Sequence, residues 1–369
     1  MNEPLKVLTI GGATQDIIIE YQPKTNCVTV TNEQQTHMLA CKEGSKIEVQ
    51  NLRYATGGGA TNAAVSFKRL EFKTSTLFNI GSDQAGEFIK KKMEEEAIKP
   101  YCQTIKLAQT GTAFIIPTPH KDRIVFVHRG ANATLTKDHV PDDLIAEQNF
   151  IYITSLSGQA ARALPYITRK AKQLITTKGI RVAVNPGTSQ LTSDVSTLKA
   201  ALPDIDVLIL NAEEMKLLMV SLKPRFFKST TTSLISEQTG SLLKESITHS
   251  TLLFTLIDYF KEILSYGVKR VVVTNGKEGV YVATADTIYF HPALTGPIAN
   301  TVGAGDAFGS SFTAMLALGL RIEDAIRVGV LQAQSVISHQ DAKTGLLSIQ
   351  SLEKKLQGLD TALLKKFNF

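Results

Sequence analysis

The sequence predicts an α/β fold in which helices flank both faces of an open, mostly parallel β-sheet, with a small β-sheet lid. Three observations lead to this prediction. Short apolar, β-branched runs alternate with amphipathic segments of helix length. Two regions break that alternation with half-polar strand patterns. Glycine-rich turns follow several of the predicted strands, where ligands bind in sheets of this kind.

The main sheet is predicted from six apolar runs, at residues 6–10, 74–79, 150–154, 181–185, 207–210 and 270–274. Helices are predicted between them, at residues 61–70, 85–97, 160–178 and 258–266. The corresponding large domain spans residues 1–15, 55–110 and 130–369.

The small lid is predicted from residues 16–54 and 111–129. Strands at 112–116 and 124–127 flank a turn at 120–123. An antiparallel extension of the main sheet is the alternative interpretation. Residues 221–250 are rich in Ser and Thr without clear periodicity, which indicates an inserted loop in the large domain.

Composition restricts the function classes. The formal net charge is +6, and the basic residues are scattered, which argues against a nucleic-acid partner. Three cysteines without CxxC spacing indicate neither a disulfide framework nor a zinc site. The sequence shows no signal segment and no apolar run of membrane-spanning length, so a cytoplasmic protein without a membrane partner is expected.

The strongest local motif is the turn from Thr301 to Asp306, which precedes a predicted helix at 309–319. Gly303 and Gly305 allow close approach of the backbone to a ligand, and the unpaired N–H groups of the following helix form a predicted anion hole. Asp306 can accept a proton from a hydroxyl placed beside it. The alternative is a carboxylate that only caps the helix.

Further polar residues follow predicted strands. Gly57 to Asn62 is a second glycine-rich turn, and Asn62 is suited to binding a polyol, as is Asp16 at the end of the first strand. Asn211 can cap a helix whose first turn contains Glu214, a candidate for holding water on Mg²⁺. Asn275-Gly276 predicts a hairpin turn that can approach nucleotide phosphates. For each of these residues, capping or turn formation is the alternative.

In this order, the segments resemble the ribokinase-like (PfkB) family of carbohydrate kinases. The family's signature Asp-Thr-x-Gly-Ala-Gly-Asp is matched at residues 300–306, its amino-terminal signature at 57–62, and its Asn-x-x-Glu element at 211–214. Residues 79–86 resemble its Gly-x-Asp-x-x-Gly turn. One position departs from the pattern, because Asn300 replaces an Asp that helps to bind a monovalent cation in the ribokinase branch. The resemblance therefore leaves a monovalent cation doubtful.

The resemblance implies an ATP-dependent kinase that uses Mg²⁺. It implies Asp306 as the catalytic base, with Gly303, Ala304 and Gly305 as the anion hole. The residues expected at the sugar are Asp16, Gly58, Gly59, Asn62 and, as a candidate anion binder, Arg129. The residues expected near ATP are Asn211, Thr274, Gly276, Gly279 and Gln340, and Glu214 is expected to serve Mg²⁺.

Several alternatives remain open from the sequence. A nucleoside kinase would use aromatic lid residues for base stacking, and Tyr21, Tyr54, Phe114 and Phe126 are candidates. A sugar phosphate would need cationic side chains. A dinucleotide-binding oxidoreductase is disfavoured because the full GxGxxG spacing is missing, and a non-catalytic sugar sensor would not require Asp306. The lid also offers an edge through which a homodimer can form.

Overall fold

A ten-stranded sheet forms the centre of the computed structural model, which describes residues 3–21, 27–31, 37–118, 123–177, 179–223, 240–250 and 252–368. Its strand order is β18-β17-β16-β15-β12-β11-β10-β1-β6-β7. The strands from β15 to β7 pair in parallel, whereas β16, β17 and β18 continue the sheet antiparallel at one edge. The predicted α/β class with an open, mostly parallel sheet is confirmed.

The described residues form these elements in chain order. The strands are β1 (Lys6–Ile10), β2 (Thr14–Tyr21), β3 (Cys27–Thr31), β4 (His37–Cys41), β5 (Val49–Gly57), β6 (Lys73–Gly81), β7 (Lys99–Ile105), β8 (Thr112–Pro117), β9 (Arg123–His128), β10 (Phe150–Ile153), β11 (Val182–Val184), β12 (Val207–Asn211), β13 (Ile247–His249), β14 (Leu252–Phe254), β15 (Arg270–Thr274), β16 (Val280–Ala283), β17 (Thr287–His291) and β18 (Lys365–Asn368). The helices are α1 (Gly59–Arg69), α2 (Gln84–Glu95), α3 (Asp142–Ala146), α4 (Gln159–Leu174), α5 (Thr188–Thr192), α6 (Val195–Ala201), α7 (Ala212–Leu222), α8 (Ser241–Lys244), α9 (Leu256–Ser265), α10 (Ala304–Ala317), α11 (Ile322–Ile337) and α12 (Ile349–Gln357).

The main sheet is buried on both faces, which explains why its strands are continuous apolar runs. Successive side chains of a strand point to opposite faces, so Leu8 and Ile10 of β1 join one core while Val7 joins another. The first core lies under α4, α6, α7 and α9, and the second lies under α1, α10, α11 and α12. Because helices cover both faces of the sheet, the ends of the parallel strands are where polar side chains can lie together.

The small sheet has the strand order β5-β2-β8-β9 and is separate from the main sheet, so the alternative of an antiparallel extension is wrong. One of its faces carries a row of large apolar side chains in register, namely Tyr54, Ile17, Phe114 and Phe126. Asp16 lies on the opposite face, in register with Ala55 and Ala113. The strands β2 and β5 cross the predicted limits at residues 16 and 54, and the domain limits stay a prediction. A further pair, β3 and β4, forms its own two-stranded sheet.

Two details differ from the sequence-based expectations. Part of the predicted loop at 221–250 is regular, because α7 extends to Leu222 and α8 and β13 follow at its end; residues 224–239 lie outside the described residues. Cys41 is disulfide-bonded, whereas Cys102 is free. No CxxC spacing marks this bond in the sequence. Within the described ranges, no helix combines the length and apolar character needed to cross a membrane.

Candidate active site

Asp306 lies in the first turn of α10, directly after a left-handed turn at Gly303. Gly303 has φ of +80°, and a Cβ atom there would lie 2.4 Å from Cβ of Ala342. Glycine is therefore required at this position for both its conformation and its close approach to the neighbouring loop. The helix begins at Ala304, five residues before the predicted start, so the amides at its N-terminus and the Asp306 carboxylate share one turn.

Asn62 binds the candidate base directly. Its Nδ2 donates a hydrogen bond of 2.8 Å to Oδ2 of Asp306, while its Oδ1 is buried and lacks a hydrogen-bond partner in the described structure. The side chain is 6% exposed. Burial raises the pKa of Asp306, and the hydrogen bond from Asn62 and the charge of Lys343 oppose that rise.

The predicted turn before α1 depends on its first two glycines, Gly57 and Gly58. Gly58 has φ of +89°, and a Cβ atom there would lie 2.4 Å from the carbonyl oxygen of Gly12. A Cβ atom at Gly57 would lie 2.0 Å from Oδ2 of Asp16. These glycines therefore let the turn pack against the end of β1 and leave room for the Asp16 carboxylate.

Asp16 projects from β2 toward the same region. Thr14 donates a hydrogen bond of 2.6 Å from Oγ1 to Oδ1 of Asp16. Burial raises the pKa of Asp16; the hydrogen bond from Thr14 and the charge of Lys343 lower it, and the negative charge of Asp306 raises it again. Two desolvated carboxylates therefore lie near each other and near one lysine.

Asn211 and Glu214 form a reciprocal capping box at the start of α7. The backbone N–H of Glu214 donates to Oδ1 of Asn211 at 2.9 Å, and the backbone N–H of Asn211 donates to Oε2 of Glu214 at 2.9 Å. Burial first, and then the charge of Asp306, raise the pKa of Glu214. The capping hydrogen bonds expected at this position are therefore present, and the charge of Asp306 acts on the same carboxylate.

A cavity of about 300 Å³ brings several predicted residues together. It is lined by Gly59, Arg129, Glu214 and Asp306, and by the unpredicted Thr154, Ser155, Asn185, Pro186, Gly187 and Thr188. Arg129 lines this cavity, and its side chain makes no hydrogen bond or ion pair with other described residues. The unpredicted residues directly follow β10 and β11. Their position after two predicted parallel strands is the sequence feature that could have identified them as cavity residues.

The residues predicted for ATP lie outside that cavity, at the ends of neighbouring strands. Asn211 and Thr274 are in register at the ends of β12 and β15. Gly276 and Gly279 have φ of +49° and +119° in the connection from β15 to β16. That connection is a hairpin as predicted, but it contains a 3₁₀ turn at Gly276–Glu278 instead of a two-residue Asn-Gly turn.

Gln340 lies beside the altered signature position. Its carbonyl oxygen accepts a hydrogen bond of 2.7 Å from Nδ2 of Asn300, and Oδ1 of Asn300 accepts one of 2.7 Å from the backbone N–H of Val302. The Asn300 side chain thus connects the turn before α10 to the loop after α11. No group of three or more metal-ligating side chains was found in the described ranges.

Comparison with known proteins gives one family. The model of the pfkB family carbohydrate kinase matches residues 26–349. The chain is 25% identical over 327 residues to a ribokinase of Haemophilus influenzae, covering 87% of this chain and 92% of that one. It is 22% identical over 316 residues to a 2-dehydro-3-deoxygluconokinase of Thermoproteus tenax, covering 82% and 85%.

Two solved structures show the same fold. Ribokinase of Giardia lamblia aligns with a TM-score of 0.74 at 17% identity, covering 97% of this chain and all of that one (100%). Arabidopsis thaliana ribokinase complexed with ribose and ATP aligns with a TM-score of 0.71 at 17% identity, covering 96% and 99%.

Proposed function

The chain belongs to the pfkB family of carbohydrate kinases, and on that premise we propose that it transfers the γ-phosphoryl group of ATP to a hydroxyl of a small sugar, with Asp306 as general base. The observation that carries this proposal is the position of Asp306. Its carboxylate lines the central cavity in the first turn of α10, directly after the left-handed Gly303. A base and the positive end of a helix are thereby placed side by side.

In the proposed step, Asp306 accepts the proton of the sugar hydroxyl as that oxygen forms a bond to the γ-phosphorus. The bond from phosphorus to the bridging oxygen of ADP breaks, and the bridging oxygen keeps the electron pair. The amides of Gly303, Ala304 and Gly305 stabilise charge that develops on the transferred group. Asn62 holds Asp306 in place, and Asp16 binds neighbouring sugar hydroxyls.

The nucleotide is assigned to the edge formed by Asn211, Thr274, Gly276, Gly279 and Gln340. A relative that aligns at 18% identity, a putative ribokinase II from E. coli, has a structure in complex with ATP and Mg²⁺. Glu214 fits an indirect role toward Mg²⁺ because its carboxylate faces the cavity that contains Asp306. The ion supplies charge neutralisation on the phosphates when bound.

A sugar is favoured over a nucleoside by the face on which the lid aromatics lie. Tyr54, Phe114 and Phe126 share the face of the small sheet opposite to Asp16, so none of them is placed to stack on a base beside it. The side chain of Tyr21 lies outside the described residues. A sugar phosphate remains a second candidate, because Arg129 lines the cavity without a partner in the described structure.

The exposed apolar row also supports a homodimer through the small sheet. Tyr54, Phe114 and Phe126 are 56%, 42% and 60% exposed. With Ile17 between Tyr54 and Phe114, they form one continuous apolar row across the small sheet instead of isolated surface residues. A second copy of the chain would cover the row through a two-fold contact. Light scattering is expected to show a dimer that Phe126→Glu converts to a monomer, and a monomeric wild-type protein would refute this proposal. A cytoplasmic location stays a prediction.

The decisive experiment for the reaction is Asp306→Asn, assayed by ATP consumption over pentoses, hexoses, their phosphates, 2-keto-3-deoxy sugars and nucleosides. Turnover on the best substrate is expected to fall by roughly two to four orders of magnitude, the usual scale of general-base loss, with little change in ATP affinity. Near-normal turnover of the variant would rule out Asp306 as the base.

A further inference from the structure

A lysine that the sequence analysis did not identify contacts the glycine turn that packs against Asp16 and carries Asn62, the hydrogen-bond partner of Asp306. Lys343 belongs to the loop at 340–345 between α11 and α12. Its Nζ donates to the carbonyl oxygen of Thr56 at 2.6 Å, to Oγ1 of Thr56 at 2.5 Å and to Oγ1 of Thr61 at 3.1 Å. An ammonium group has three N–H donors, and here three uncharged oxygens accept them.

The loop that carries this lysine is held in a fixed conformation. Oδ1 of Asp341 accepts hydrogen bonds from the backbone N–H groups of Lys343 and Thr344, at 2.9 and 2.8 Å. Oγ1 of Thr344 donates to Oδ2 of Asp341 at 2.6 Å. On its other side the loop contacts the anion-hole turn, where Ala342 occupies the space beside Gly303. The Lys343 ammonium is therefore preorganised.

The negative charges of four carboxylates, each from a different element, act on the ammonium group. The carboxylates are Asp16 on β2, Asp306 on α10, Asp341 on the loop itself and Glu96 after α2. Burial lowers the pKa of Lys343 to about 8, and the four negative charges oppose that change. Of the groups that act on these carboxylates, Arg53 influences Asp341 and Arg69 pairs with Glu96 at 3.0 Å. The neutral side chains of Thr14 and Asn62 donate to Asp16 and Asp306. Lys343 therefore remains a cation at pH 7.

The charge of Lys343 acts on both carboxylates of the catalytic region. Burial raises the pKa values of Asp16 and Asp306, and the negative charge of Asp306 raises that of Asp16 further. The ammonium lowers both pKa values. It makes no hydrogen bond to either carboxylate, so their oxygens stay available to substrate hydroxyls.

We propose that Lys343 is a positioning residue of the phosphoryl transfer, whose ammonium group holds Asp16 and Asp306 together in the carboxylate form beside the substrate. This inference rests on the proposed role of Asp306 as base. A purely structural lysine, which only ties the loop to Thr56, would contribute to stability without affecting the ionisation of the base. The pH dependence of catalysis distinguishes the two roles.

The test is the pH profile of kcat/KM for Lys343→Met, which keeps the length of the side chain and removes its charge. The acid limb is the part of the profile where kcat/KM falls as the pH decreases. It is expected to move to higher pH by about one unit or more, so kcat/KM at a pH below the limb falls by at least about tenfold. The KM for the sugar is expected to rise as Asp16 becomes protonated. An unshifted acid limb in a folded variant would overturn the inference.

A matched control is Lys172→Met. Lys172 is also little exposed and also lies beside a buried carboxylate, because its Nζ donates to Oδ1 of Asp206 at 2.6 Å, away from the cavity. This substitution is expected to lower the melting temperature and to leave the acid limb in place. An equal shift of the limb in both variants would show that general destabilisation, and not the Lys343 charge, moves it.

A second variant tests whether charge is what matters. In Lys343→Ala, methylammonium at constant ionic strength is expected to restore part of the lost turnover, and tetramethylammonium is not. No rescue in a folded Lys343→Ala protein, or equal rescue by both cations, would count against the inference.

Two further measurements keep the inference testable if these variants do not fold. In the wild-type enzyme the acid limb is expected below the pKa of Lys343, about 8, because only the charged ammonium stabilises the carboxylate forms. An acid limb at or above about pH 8 would overturn the inference without any variant. Asp306→Asn distinguishes failure of this inference from failure of the proposed function. If Asp306→Asn is inactive while the acid limb of Lys343→Met is unshifted, the proposed function stays intact and only the role of Lys343 is removed.

Discussion

The Nδ2 atom of Asn62 donates a hydrogen bond of 2.8 Å to Oδ2 of Asp306, across 244 residues of chain. Asn62 lies in α1 and Asp306 in α10, so this bond connects the amino-terminal glycine turn to the carboxyl-terminal one. A donor to the ionised carboxylate favours that form, which is the form a general base requires.

We expect Asn62→Leu to move the acid limb of kcat/KM to higher pH. Hydrogen bonds to charged groups contribute about 1.5–3 kcal/mol, so the loss corresponds to roughly one to two pH units. The control is Asn79→Leu, which removes another buried amide donor, bonded to Oγ1 of Thr134. The control should lose stability while its limb stays in place. Acid limbs at the same pH in both variants would contradict the role of Asn62.

Asp306→Asn is expected to stabilise the folded protein at pH 8 while it removes activity. Burial raises the pKa of Asp306 in the folded state. Between its ordinary and its raised pKa the folded state therefore binds more protons than the unfolded state, so stability falls as pH rises through this range. We expect the melting temperature of the variant to exceed that of wild type by about 1–3 °C at pH 8, and the difference to shrink near pH 4. A lower melting temperature at pH 8 would contradict this account.

Gly303→Ala is expected to damage both stability and turnover. The new methyl group would lie 2.4 Å from Cβ of Ala342, in a residue with φ of +80°. Backbone strain of this kind costs about 1–3 kcal/mol, and relief requires movement of the anion-hole turn. Gly319→Ala has a similar φ, of +83°, but open space around it, so it measures the conformational cost alone. Turnover should fall only in the Gly303 variant, and equal kinetics would contradict a steric role for Gly303.

A buried carboxylate far from the site is expected to control acid stability. Asp206 is 0% exposed and accepts hydrogen bonds from Lys172 and from the backbone N–H groups of Arg181 and Val182. These interactions outweigh burial and lower the pKa of Asp206, so its stabilising effect is present above the ordinary carboxyl pKa and is lost as pH falls through the lowered value. We expect Asp206→Ala to cost about 3–5 kcal/mol in chemical unfolding at pH 7. A cost that persisted unchanged at pH 2 would contradict the electrostatic explanation.

Replacement of potassium by a large inert cation is expected to change activity little. Nδ2 of Asn300 already donates to the carbonyl oxygen of Gln340, and a neutral amide lacks the charge that attracts a cation. Steady-state rates in potassium and in tetramethylammonium salts of equal ionic strength test this. A strong potassium requirement would show that Asn300 does not remove the cation site.

The parts that the sequence predicted are those set by local patterns. The apolar runs gave the parallel strands, since strands buried on both faces need apolar side chains throughout. The Gly303 to Asp306 turn was predictable because positive φ favours glycine and a helix follows. Asn211 and Glu214 form a capping box with a spacing of three, which is visible in the sequence.

The parts that were missed depend on contacts between distant segments. Lys343 looks like an ordinary surface lysine until the loop places its ammonium against Thr56, 287 residues away in the chain. The position of Phe126 on the outward face of the small sheet depends on strand register. A one-residue slip would move its side chain to the other face. The early start of α10 was missed because Gly303 and Gly305 have low helix propensity, which the packing against Ala342 overrides.

The contact between Lys343 and Thr56 also has a consequence for biosynthesis. Amino-terminal segments fold first as a chain is made, yet the positive charge of this site is supplied by the loop after α11. A nascent or truncated chain that ends before this loop therefore holds Asp16 and Asn62 without the ammonium. Such a fragment would lack the charge that stabilises both carboxylates, and full activity would report that synthesis has passed the loop at 340–345.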